Sequence, residues 1–158
     1  MAQVTTADIR TRIKDMIEAD AITSSILKSV FDIAPMALQR GATPALVITD
    51  GNGTYDNGNL GERYIKPNIG FTLALYMQEW TANSTVNINA NGIDAITTAI
   101  ENLFRKNARL NYNGQDLKGV RQSQLTNVTG IAPRPYPSGG TPYVHKQWTL
   151  QVIYSRTV

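Results

Sequence analysis

Catalysis and metal binding need particular side chains at particular spacings, and few such sets occur here. The chain holds a single histidine, His145, and no cysteine. Without cysteine there is no disulfide, no thiolate metal site and no thiol nucleophile. His145 has no second histidine and no HExxH spacing to make a zinc site. It reads as a surface residue on the polar face of a strand, beside Lys146 and Gln147. Asp50, Asn52 and Asp56 stand at positions 1, 3 and 7 of a calcium-loop register. Position 6 of that loop needs glycine and is Tyr55, and position 12 needs a bidentate glutamate and is Gly61. Gly51-Asn52-Gly53 follows a strand, but the third glycine of a dinucleotide loop is misplaced and no helix comes next. Asp94 and Glu101 lie on one helix, where Asp94 complements the positive N-terminal end, while Arg105, Lys106 and Arg109 suit its C-terminal end. These residues point away from catalysis. The expectation is no enzyme, no metal and no cofactor.

A different chemistry is legible around Tyr136. Arg134 precedes it, and Pro133, Pro135 and Pro137 surround it. Proline stiffens a segment and lowers the entropy lost when it docks. Tyrosine and arginine are the residue types enriched at interface hot spots. The stretch Thr129 to Pro142 is therefore expected to be a docking arm, with Arg134 and Tyr136 at its tip and Arg121 and Lys146 on the strands that carry it. Tyr55 and Arg63, in a long glycine-rich loop, and Arg156, at the end of the last strand, complete the candidate protein-contact set.

Composition agrees with a contact role. Of 158 residues, 42% are apolar and only 17% charged, below the usual quarter, and amides and hydroxyls take up the difference. The net charge of +3 is unevenly spread. Met1 to Glu101 carries seven basic against eleven acidic residues, a net of −4, whereas Asn102 to Val158 carries eight basic residues against Asp116 alone, a net of +7. Such asymmetry implies one basic surface, suited to nucleic acid or to an acidic protein. The N-terminal stretch lacks the apolar run of a secretory signal, and no apolar run is long enough to span a membrane, so a cytosolic protein without a membrane partner is expected.

The elements that would position these residues can be read in order. Thr5 and Asp8 have capping-box spacing, and Ile9, Ile13, Met16 and Ile17 form the stripe of a first helix. A shorter helix is expected after Thr23, with Ile26, Leu27, Val30 and Phe31 on one side, ending before Pro35. Thr43 to Thr49 is a short apolar strand, and Asp50 to Asn68 reads as a long loop. From Ile69 to Trp80, Ile69, Phe71, Leu73, Leu75 and Met77 alternate with smaller or polar residues, the pattern of a strand with one apolar face. It should pair with Thr43 to Thr49. Ile93, Ile96, Ile100, Leu103 and Phe104 make one face of a helix that covers it. Val120 to Val128 and Tyr143 to Arg156 form a second hairpin, joined by the proline-rich arm. The expected fold is one α+β domain over residues 1–158. It has a mixed sheet of about four strands, amphipathic helices packed on one face, and two long loops or arms.

In outline this chain resembles the tail terminator (tail-completion, or neck) proteins of tailed bacteriophages. The resemblance is carried by element order and length across nearly the whole chain. It includes the Pro44-Ala45-Leu46-Val47-Ile48 strand, the Ile93-Asp94-Ala95-Ile96 helix and the closing Gln147-Trp148-Thr149-Leu150-Gln151-Val152-Ile153-Tyr154 strand. It implies a virion structural protein, assembled in the host cytoplasm, whose subunits form a six-membered ring on the tail tube protein. The ring would end tube polymerisation and present the attachment surface for the head-tail connector or head completion protein. Genomic DNA would pass through the lumen without sequence-specific contact. The family brings no residue signature to transfer, so the candidate residues above rest on chemistry alone.

The competing class is a small basic nucleic-acid-binding module, favoured by Tyr136, Tyr143, Trp148 and Tyr154 in the basic portion. Against it, Trp148 and Tyr154 fall on the apolar register, and no helix-turn-helix or RNA-binding signature is present. A hydrolase is disfavoured by the lone histidine.

Overall fold

The structure is a computed structural model that describes residues 4–39, 42, 44–56, 64–77, 90–135 and 143–157. Its first helix, α1 (Thr6–Ala19), opens on the expected capping box: Asp8 N donates to Thr5 Oγ1 at 3.1 Å and Thr5 N to Asp8 Oδ2 at 2.8 Å. Asp20 closes α1 and caps α2 (Ala21–Ile26), whose Thr23 N donates to its carboxylate at 2.9 Å. Here the chain departs from the helical reading. Helix α2 stops at Ile26, and Ser29–Phe31 is a short strand, β1. Val30 and Phe31 are β-formers as well as apolar, and the parallel partner offered by Ala45–Val47 decides the matter.

Strand β2 (Ala45–Asp56) runs well past the expected end at Thr49, and β3 (Tyr64–Met77) begins before Ile69. Most of the stretch read as a loop is thus the outer part of an antiparallel hairpin, with Thr54 opposite Asn68 and Asp56 opposite Lys66. Gly51 and Gly53, two of the glycines that suggested a loop, serve close approach instead. The register slips between Asp50 and Gly53, a bulge. A Cβ on Gly51 would stand 2.5 Å from the Gly70 carbonyl oxygen, and one on Gly53 would stand 2.8 Å from that of Asn68.

Helix α3 (Ala90–Lys106) is followed by Tyr112 paired with Gln115 across Asn113 and Gly114, both at positive φ (53° and 76°). That is the backbone a two-residue Asn-Gly hairpin turn requires. Strand β4 (Val120–Pro135) then pairs with β5 (Tyr143–Tyr154), the expected second hairpin. It continues to Pro135, where the sequence suggested an arm without regular structure, and accommodates the extra length by register shifts, the last between Gly130 and Arg134. A two-residue strand, β6 (Arg156–Thr157), pairs with the start of β3.

The protein is therefore α+β, with a mixed five-strand sheet in the order β1-β2-β3-β5-β4 and three helices among the described residues. The sheet has one strand more than expected because β1 was hidden in an apparent helix. Ile9, Ile13 and Ile17 of α1 and Ile96, Ile100 and Phe104 of α3 share one core cluster with Leu46, Ile48, Phe71, Leu73, Leu75, Trp148, Leu150 and Val152. Alternate residues Ala45, Val47, Ala74 and Tyr76 belong to a second, smaller cluster capped by Leu38. Part of the sheet face that reads as polar is thereby covered by the segment after β1.

Candidate functional site

Among the described residues β4 ends the sheet, with no strand on its outer side. Near its start the connection from α3 lies alongside, and Ser123 N donates to the Ala108 carbonyl at 2.6 Å. Farther along, a groove of about 420 Å³ opens between the C-terminal turns of α3 and the strand. Phe104, Leu125 and Val128 contribute its apolar lining, and Glu101 and Arg105 charge its walls. Ser123 is buried, and its Oγ has no hydrogen-bond partner among the described residues. Exposed Arg105, Lys106, Arg109, Lys118 and Arg121 cluster on α3, on the connection and at the start of β4. The basic C-terminal part of the sequence thus has a definite place, the β4 end of the sheet.

The candidate contact residues do not converge on one point. Arg121 is exposed and its Nε donates to Ser155 Oγ at 2.5 Å, which holds it beside the end of β5. Arg156 lies opposite Ile65 in β6, and Tyr55 opposite Pro67 in β2, so these two occupy the same end of the sheet. Arg134 lies opposite Val144 at the far end of β4. At ~3.3 Å per residue, Arg121 and Arg134 are separated by about 40 Å. Arg121 is on the strand expected to carry the arm, but the arm is corrected as far as Pro135: bulged strand connects Arg121 to Arg134.

Lys146 lies on β5, one of the two strands expected to carry the arm. It shares the register of Trp148 and Leu150, is half-buried, and its Nζ donates to Thr97 Oγ1 of α3 at 3.1 Å. Its first role is to tie β5 to the helix. Tyr136 and Arg63 lie outside the described residues.

The chemical candidates can be placed similarly. Asp50 and Asn52 are in β2 at the bulge and Asp56 is in the outer hairpin, an extended strand rather than a coiled cation loop. Asp50 is ion-paired with Arg10. Among the described residues no group of three His, Asp or Glu side chains is placed to hold a metal ion, and no helix is long and apolar enough to cross a membrane. Sequence reasoning missed the groove, because its lining comes from α3 and β4, some twenty residues apart. It also passed over Ile33 and Met36, which are 71% and 96% exposed; two large apolar residues flanking Pro35 were the available signal.

Compared with known protein families and with characterised proteins, the chain matches no family model and no characterised sequence.

Proposed function

We propose that this chain is a structural subunit of the phage tail-terminator type. It would assemble as a ring, hexameric by resemblance, that caps the tail tube, ends its growth and receives the head-side connector. In this reading the amphipathic helices lie on one face of the sheet and the sheet's ends and edges meet neighbours. The observation that carries the reading is the order of elements. Two helices and the short β1 lead into a β2–β3 hairpin, α3 follows, and a second hairpin, β4–β5, comes after it. The separation of charge along the chain is in keeping with a subunit that meets a differently charged neighbour surface on each side.

The test is native mass spectrometry together with tube growth in vitro. Six copies of 17.3 kDa give a species near 104 kDa, and adding it to polymerising tail tube protein should stop elongation. A protein that stays monomeric and leaves tube length unchanged would sink the reading. The basic cluster from Arg105 to Arg121 favours, as the second reading, a nucleic-acid-binding module. That reading requires a DNA affinity that falls steeply with salt, with a slope near −0.9 per phosphate contacted, in a protein that forms no ring.

A further inference from the structure

Four Asn-Gly pairs occur in the chain, beginning at Asn52, Asn57, Asn91 and Asn113. Asparagine before glycine is open to spontaneous conversion, because the glycine amide nitrogen can reach the asparagine side-chain carbonyl with no Cβ in its way. In a folded protein the backbone decides whether that approach occurs. Asn52–Gly53 is held in β2, where Gly53 lies opposite Ile69 and a Cβ would stand 2.7 Å from Ile69 Cγ1. Asn91–Gly92 lies in α3, and the helical ψ of about −42° keeps the glycine nitrogen away from the side chain. Asn57–Gly58 lies outside the described residues.

Asn113–Gly114 is placed differently. Both residues are exposed, in a turn closed by Tyr112 N donating to the Gln115 carbonyl at 2.9 Å and Gln115 N to the Tyr112 carbonyl at 3.0 Å. Their positive φ values, 53° and 76°, are those of a type I′ turn. Rotation of the central peptide converts type I′ to type II′, which closes the same two-residue hairpin. Type II′ keeps the first φ and takes its ψ to about −120°, which turns the Gly114 nitrogen toward Asn113 Cγ. Gly114 tolerates either sign of φ, nothing lies within 4 Å of where its Cβ would be, and the central peptide has no hydrogen bond to lose among the described residues.

We propose that Asn113 is a site of spontaneous covalent modification in the folded protein. The Gly114 nitrogen loses its proton and bonds to Asn113 Cγ, the C–N bond of the side-chain amide breaks, and ammonia leaves. Water then opens the resulting cyclic imide at either carbonyl, giving isoaspartate or aspartate. Isoaspartate puts an extra methylene into the main chain and so breaks the two-residue spacing between Tyr112 and Gln115. Arg12 of α1 depends on that spacing. Its Nη1 donates to the Gln115 carbonyl at 2.8 Å and the Leu110 carbonyl at 3.1 Å, and its guanidinium lies 5.7 Å from the centre of the Tyr112 ring. Modification therefore loosens the hold of α1 on the connection after α3.

Peptide mapping of the folded protein stored at mildly alkaline pH tests this. The Asn113 peptide should convert to isoaspartate and aspartate at least tenfold faster than the Asn52 peptide from the same sample. In urea the turn is lost, and the two rates should converge. The isoaspartate fraction, separated chromatographically, should melt below the parent. Asn113→Asp adds the charge without the methylene and should melt closer to the parent. Asn113 retained as long as Asn52 in the folded state, or an excess that persists unchanged in urea, overturns a site made by the fold. An isoaspartate fraction as stable as the parent overturns the loss of the Arg12 anchorage.

Discussion

Arg10 on α1 is ion-paired with Asp50 on β2, and the same side chain reaches across β1, its Nε donating to the Asp32 carbonyl at 2.8 Å. One guanidinium therefore holds the first helix, the short parallel strand and the bulge of β2 in register. Asp50 is 40% exposed, so solvent screens the pair and its own contribution is small. Most of the effect of removing Arg10 should come from the lost Asp32 bond. Arg10→Ala should cost about 1 kcal/mol in urea unfolding. Asp50→Asn should cost about half that or less. Equal losses in the two variants would show that the ion pair, not the Asp32 bond, matters.

The β2 glycines should be intolerant for reasons of space. Gly53→Val would drive its Cβ against Ile69 Cγ1 at 2.7 Å and the Asn68 carbonyl at 2.8 Å. Overpacking of this kind costs roughly 1–3 kcal/mol, and backbone, not a yielding side chain, supplies part of the clash. Gly114→Ala meets open space but sits at φ +76°, so it should lose only about 1 kcal/mol. Denaturant midpoints for the two variants check the ranking.

Thr23 is fully buried, and its Oγ1 donates to the Ile17 carbonyl at 2.7 Å, bridging the junction of α1 and α2. Thr23→Val keeps the shape and removes the donor. The expected loss is about 1–2 kcal/mol, with native secondary structure retained by circular dichroism. A neutral effect would mean that Asp20 N, which already donates to the Ile17 carbonyl at 3.3 Å, satisfies it alone.

Arg134→Ala with Tyr136→Ala tests the proline-rich segment as a docking element. If it supplies hot spots, each truncation costs ~2 kcal/mol, about thirtyfold in affinity for the partner. Tail capping should fall accordingly while the melting temperature holds. A stable double variant that caps tails normally would mean that Thr129–Pro142 supplies no docking contact.

Local patterns were read correctly where one local force dominates. The Thr5–Asp8 box, the apolar stripes of α1 and α3 and the alternation of Phe71, Leu73 and Leu75 each depend on residues within two turns or on a single strand. Their burial follows. The errors have a common cause, since glycine, proline and short apolar runs take their conformation from their neighbours. Gly51 and Gly53 argued for a loop until β3 supplied a partner, and Thr129–Pro135 argued for an arm until β5 did.

The amino-acid order by itself determined the α+β class, both hairpin pairings and the uneven charge, because those follow from periodicity and composition along a contiguous stretch. Only the tertiary structure decided that Ser29–Phe31 joins the sheet in parallel, that Lys146 reaches Thr97, and that the basic cluster lies at the β4 edge while Asp32 and Asp50 lie at the other. Each of these joins residues far apart in sequence. Strand order and register set such distances, and no local propensity encodes them.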